Sequence, residues 1–237
     1  LSDYLIERVF RFIKIKRMQT LDIRTVIAKT ETHIKETFSG EGTGHDWHHM
    51  DRVRKLALKI AEQTPEADAS RVELIALLHD LGDHKFHNGT DQSDIAIGNF
   101  LRSIHTSEKL IQAVVEDVQM ISFKGAGAET KPPTLEGQIV QDADRLDAIG
   151  AIGIARAFAY GGSKHRPLYI PGVTANHHEN FEAYKNDQSH TVNHFYEKLL
   201  LLKTRMNTLA GRQIAQQRHL YMEGFLQQFF DEWDAKK

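Results

Sequence analysis

Three separated segments, HDWHHMDRV, ALLHDLGDHKF and QDADRLDAIGAIGIARAF, carry the residues best suited to hold a metal ion. They supply His45, the adjacent pair His79-Asp80, and Asp144, each expected on its own helix. Imidazole and carboxylate with no thiolate anywhere suit a divalent cation such as Mg²⁺, Mn²⁺, Fe²⁺ or Co²⁺. Few protein ligands around an ion of octahedral preference leave positions for water and substrate. That is the arrangement of a hydrolase rather than of a structural metal plug.

Each segment has a geometry of its own. Neighbours such as His79 and Asp80 diverge by about 100° in mid-helix, yet beside Gly82, at a helix tip, they can converge on one ion. The preceding IALL run buries that tip, where an unpartnered histidine and aspartate would carry a desolvation cost. His45 and His49 stand at i, i+4 on one face, and Arg52 follows on the same face, so a metal-bound phosphate could be met there. HDWHH lacks the glutamate of HExxH, which excludes the zincin pattern. On the third segment Asp144 and Asp147 share one side and Asp142 points elsewhere; one acid suffices as a ligand, and Arg145 can pair with others.

Positioning these groups requires helices almost throughout. Val26, Ile27, Ile34 and Phe38 form one apolar face, and Gly40, Gly42 and Gly44 lead into a helix starting near His45. That helix carries Val53, Leu56, Ala57 and Ile60 and ends near Pro65, which suits the first turn of the next helix. The next helix buries Val72 and Ile75–Leu78 and closes at Gly82. Further helices are expected near 91–103 and 106–121, with a Gly- and Pro-containing loop over 122–133. A long helix should run from Thr134 to about Tyr160, stopped by Gly161-Gly162. Its alanines and glycines make it small-sided, and glycine weakens a helix, so close helix–helix contact is expected around the site. Two long helices near 190–208 and 210–234 finish an all-α chain.

The 237 residues, 41% of them hydrophobic, can bury a substantial single core. A formal net charge of -2 gives no polyelectrolyte argument for a stable nucleic-acid partner. The absence of cysteine excludes disulfides and thiolate sites and is compatible with a reducing cytoplasm, the expected location. No run approaches the ~20 apolar residues of a membrane span, so no membrane partner is expected. The basic, amphipathic stretch 1–17 belongs to an expected N-terminal extension, residues 1–21, whose part before Met18 is taken as preceding the natural start. Residues 22–237 are expected to form one domain. The composition sets no oligomeric state, and a homodimer is compatible with it.

The order His…His-Asp…Asp on separate helices resembles the HD-domain metal-dependent phosphohydrolase superfamily. HDWHHMDRV, LLHDLGDHKF and TLEGQIVQDADRLDAIGAIGIARAF are similar to a bacterial branch of it, the nucleotide pyrophosphohydrolases. The resemblance covers nearly the whole chain from about Asp22. It implies a helical bundle with the metal at its centre, ligated by His45, His79, Asp80 and Asp144. Asp144 is preferred to Asp142 because relatives carry the ligand at the second position of the ADRL run.

The resemblance also implies one divalent ion, Mn²⁺, Mg²⁺, Co²⁺, Fe²⁺ or Ni²⁺, although His84, His87 and His105 keep a two-metal site open. Asp83 falls where related nucleotidases place an acid beside the His-Asp pair, making it the candidate for proton transfer. The substrate implied is a nucleotide, hydrolysed from triphosphate to monophosphate and pyrophosphate by metal-activated water. Arg52, Lys85, His49, Lys124 and Arg145 are the candidate substrate-binding residues, since cations hold phosphate oxygens. Alternatives are a nucleotide phosphatase or phosphodiesterase of the same superfamily, a di-iron oxygenase of the same fold, and a non-catalytic nucleotide-binding regulator.

Overall fold

Short polar side chains decide where the helices begin. In the computed structural model, which describes residues 21–39, 46–82, 92–121, 130–175 and 190–236, aspartates or threonines cap five of them. Asp22 caps α1 (Ile23–Thr37), Asp46 caps α2 (Trp47–Ala61) and Asp68 caps α3 (Ala69–Leu78). Then follow α4 (Ser93–Ser103) and α5 (Glu108–Ile121). Thr134 caps α6 (Leu135–Asp147), which turns into α7 (Gly150–Ser163). A short α8 (Asn193–Glu197) and a 3₁₀ segment (Leu199–Arg205) lead to Thr208, the cap of α9 (Leu209–Trp233). In each cap the side-chain oxygen accepts a first-turn N–H that the helix itself cannot satisfy.

The described residues are all-helical, and α3 is the axis around which they assemble. Its Val72 and the whole of Leu74–Leu78 are buried, while Arg71 and Glu73 near its start stay partly exposed. The apolar second half must be covered on every side, and α1, α2, α5 and α6 pack against this helix. The core continues through Ile34, Met50, Val53, Ile60, Ile111, Ile139 and Leu146. On the far side α9 packs against α7, α6 and the 3₁₀ segment. Among the described residues no helix is long and apolar enough to cross a membrane.

Several expected boundaries move, each for a local reason. The helix expected to begin near His45 begins at Trp47, because Asp46 accepts the His49 N–H and so fixes the first turn. Pro65 does not open α3; the chain makes a turn and Asp68 opens it. The expected helix near 190–208 is a single turn followed by 3₁₀ backbone. The expected helix from Thr134 to Tyr160 is two helices, broken at Ala148-Ile149. Gly150 takes φ +77°, left-handed backbone that costs other L-residues energy. A Cβ there would lie 3.0 Å from Cγ of Arg218, and the small residues after it let α7 turn away from α6. The amphipathic stretch 1–17 lies outside the described residues.

Replacing Gly150 by alanine is expected to lower the unfolding free energy by about 1–2 kcal/mol, from the left-handed strain and the contact with Arg218. Urea unfolding monitored by circular dichroism measures it, and an unchanged midpoint would contradict this account of the break.

Candidate metal centre

The buried end of α3 and the start of α2 meet against one side of α6. His49 occupies the first turn of α2, in register with Val53, Ala57 and Ile60 on the buried face. His79 follows the last residue of α3, and Gly82, at φ +83°, turns the chain within three residues. A Cβ on Gly82 would lie 2.8 Å from the backbone of Gln92 and Ser93, so only glycine fits this return. The tip of α3 is thereby held, with His79 and Asp80 both buried.

These groups converge with Asp144 of α6. Nε2 of His49 lies 3.2 Å from Nε2 of His79, 3.5 Å from Oδ2 of Asp80 and 3.6 Å from Oδ1 of Asp144. Nε2 of His79 lies 3.7 Å from Asp80 and 3.9 Å from Asp144. Among the described residues His49, His79 and Asp144 form the cluster able to hold a metal ion. The side chain of His49 is fully buried while that of Asp144 is 28% exposed, so the cluster opens on the Asp144 side.

The hydrogen bonds behind the rings decide what the site wants. Nδ1 of His79 donates to the carbonyl of Ala76 at 2.8 Å, a partner that can only accept. Nδ1 of His49 donates to Oδ2 of Asp147 at 2.8 Å. With these Nδ1 atoms engaged from behind, both Nε2 atoms face inward, toward each other and toward two carboxylates. Such an array needs positive charge within it, a proton or a metal ion, and its donor set fits a divalent ion of the imidazole- and carboxylate-binding class. Burial alone would push the His49 pKa down. The hydrogen bonds to Asp147 and Asp80 and the charges of Asp80 and Asp144 outweigh it and raise it to about 9. Positive charge is favoured at this point.

The three acids of α6 go three ways. Asp144 faces the histidines. Asp147 accepts from His49, from Arg52 at 2.7 and 3.0 Å, and from Arg156 at 2.7 Å. Burial works against its charge, but these donors hold its carboxyl well below the usual range. Asp142 is buried on the opposite side and accepts from the backbone N–H of Asn207 at 2.7 Å and of Thr208 at 2.8 Å. It also accepts the Thr208 hydroxyl at 2.7 Å, which leaves it occupied with the start of α9.

Among the other expected site residues, Arg52 is at the site, while Arg145 is turned away from it. The guanidinium of Arg145 is buried and donates to the carbonyl of Arg205, with that of Thr130 at 3.5 Å. Its expected role on substrate is corrected to bracing the chain before α9. His49, expected to meet substrate, stands instead among the metal-ligand types. His105 closes α4 at φ +61° and is not in the cluster. His45, Asp83, His84, Lys85, His87 and Lys124 lie outside the described residues. Asp147 as partner of a histidine, and Arg156, were missed; the i, i+4 register of His49 with buried Val53 was the signal that could have placed His49 inward.

Comparison with known proteins gives one consistent relationship. The family model of the HD domain matches residues 46–149. YpgQ of Bacillus subtilis, an uncharacterized protein, is 38% identical over 198 residues, 83% of this chain and 88% of its own. Its crystal structure in complex with ADP superposes with a TM-score of 0.70 at 34% identity, covering 89% of this chain and 96% of that one. A crystal structure of an HD-superfamily hydrolase from Bacillus thuringiensis gives 0.71 at 38% identity, covering 90% and 100%. A protein from Lactobacillus plantarum gives 0.79 at 32%, covering 91% and 100%.

Replacing Asp142 by alanine is expected to cost about 2–4 kcal/mol of stability, because buried N–H groups at the start of α9 lose their acceptor. Denaturant unfolding reads this loss. Mn²⁺ affinity of the folded variant should stay at the wild-type value, and a loss of Mn²⁺ binding would return Asp142 to the metal centre.

Proposed function

Because this chain belongs to the HD-domain superfamily of metal-dependent hydrolases, we propose that it hydrolyses nucleoside or deoxynucleoside triphosphates to monophosphate and pyrophosphate. The observation that carries the reading is the pairing of an open-sided His49–His79–Asp80–Asp144 corner with Arg52, held at its edge by Asp147. The ADP complex of YpgQ supports a nucleotide as the ligand class.

One divalent cation is held by His49, His79, Asp80 and Asp144, with His49 taking the corner that the family resemblance gave to His45. A divalent ion so bound lowers the pKa of water and neutralises phosphate charge. Around it the chain's own groups do the rest. The buried imidazoles and Asp80 close the inner side, so substrate enters past Asp144. Arg52, its side chain 35% exposed, meets phosphate oxygens with the guanidinium donors that it does not spend on Asp147. Asp83 is the group assigned to proton transfer. The chain has no cysteine and no serine in a recognisable nucleophile setting, so direct attack by water is preferred to a covalent intermediate.

The ligand set is tested without substrate. Titration calorimetry with MnCl₂ should show one ion bound by the wild type and none by His49→Ala or Asp144→Ala. Binding at full stoichiometry by His49→Ala, with loss in His45→Ala, would restore His45 as the ligand.

The reaction is tested with a panel of nucleotides, Mn²⁺, Mg²⁺ or Co²⁺, and ¹⁸O-labelled water. Pyrophosphate should be released and the label should appear in the monophosphate, which reports attack at the α-phosphorus. Label in pyrophosphate would mean attack at the β-phosphorus, and orthophosphate alone would make the protein a phosphatase. Turnover of no nucleotide with any of these ions would leave the regulator reading.

A further inference from the structure

Asp147 contacts both the metal corner and the two arginines beside it. The residue is 3% exposed, and its carboxylate has about four lone-pair positions. Four donors fill them. Oδ1 takes Nε of Arg52 at 2.7 Å; Oδ2 takes Nδ1 of His49 at 2.8 Å, Nη2 of Arg52 at 3.0 Å and Nη1 of Arg156 at 2.7 Å. One of these partners belongs to the metal corner, and the other two are guanidiniums with side chains 35% and 27% exposed.

We propose that Asp147 is the positioning residue that joins the two halves of the site, fixing His49 toward the cation and setting Arg52 and Arg156 as a paired clamp for phosphate oxygens. The assignment of Arg156 to phosphate rests on the nucleotide reading above; the assignment of Asp147 to His49 does not.

The physical case is one of competing requirements. His49 can offer Nε2 to a cation only while its Nδ1–H is held, and Asp147 is the acceptor that holds it. A carboxylate behind a ligating imidazole also makes the ring a stronger donor. The arginines need a different service. A long guanidinium side chain loses rotamer freedom when it grips a phosphate, and anchoring it beforehand removes part of that cost. Arg52 spends two of its five donors on the anchor, keeping the others for an oxygen-rich ligand. The carboxylate is outnumbered by two guanidiniums, so the clamp keeps net positive charge. Asparagine would preserve the shape but lose the charge that holds His49 and both guanidiniums, and its amide NH2 would have to face at least one of these donors.

Asp147→Asn should weaken binding of Mn²⁺ alone by about 10–100-fold, as removal of such a partner does, and should also weaken binding of ADP measured in saturating Mn²⁺. Arg156→Gln, which leaves the His49 hydrogen bond in place, should leave Mn²⁺ affinity within about twofold of wild type and weaken ADP alone. Thermal melts establish that each variant is folded. If Asp147→Asn does not fold, Asp147→Glu carries the metal arm, its longer side chain displacing the carboxylate from His49 and lowering Mn²⁺ affinity. Wild-type Mn²⁺ affinity in the folded Asp147 variant overturns the positioning role, and wild-type ADP affinity in Arg156→Gln overturns the clamp. A wild-type protein that binds Mn²⁺ but no nucleotide refutes the nucleotide reading, and with it the clamp, while the metal arm still decides the role of Asp147.

Discussion

Two imidazole nitrogens facing each other at 3.2 Å, with two carboxylates around them, form an arrangement that no folded chain holds by default. Each ring is locked from behind, His79 by the Ala76 carbonyl and His49 by Asp147, so neither can turn its lone pair away. Around the His49 ring stand the carboxylates of Asp80, Asp144 and Asp147, against the guanidiniums of Arg52 and Arg156, which leaves an excess of negative charge that a divalent ion would reverse. The rest of the molecule is arranged to keep these groups together against that repulsion. Burial of Leu74–Leu78 in α3 supplies the rigidity, since a close-packed helix end cannot shift without opening the core.

Helix ends, more than helix faces, make the convergence possible. A ligand in mid-helix would be one of many side chains on a crowded cylinder, and its neighbours in sequence would point elsewhere. His79 and Asp80 escape this because the chain leaves helical geometry there and Gly82 reverses it. The carbonyl end of α3 also carries partial negative charge, which favours a cation close by. His49 reaches the same point from the first turn of α2, where Asp46 has already satisfied its backbone N–H. Asp144 comes from the last turn of α6, and it is the ligand type left exposed to the opening.

The sequence made the helical class and most of the site's residue types legible, and the physical reasons differ by element. Apolar periodicity around Val53, Ala57 and Ile60 and the apolar run before His79 are strong local signals, and the corresponding helices are found. The break at Ala148-Ile149 was not legible, because a run of alanine and glycine is compatible both with a small-sided helix and with a left-handed turn. Which of the three histidines in HDWHH faces inward depends on where α2 begins, and the first turn set by Asp46 places His49 in register with buried Val53. Arg145 adjoins Asp144 in sequence but does not share its direction. A neighbour in a helix points about 100° away, here into the chain that precedes α9.

The same angular arithmetic explains why one helix can serve fold and site at once. From Asp144 to Asp147 is a net rotation of about 60°, whereas Asp142 lies about 160° from Asp144 on the helix circumference. Asp144 and Asp147 can therefore act on a single histidine, one beside its Nε2 and the other at its Nδ1. Asp142 is left facing α9, where the backbone N–H groups of Asn207 and Thr208 need an acceptor. Its anchorage of α9 in turn steadies α6 on the side away from the histidines. Moving any of these acids by one residue would turn it about 100° away from its partner. The spacing of the three is thus a joint requirement of the metal corner, the arginine pair and the final helix.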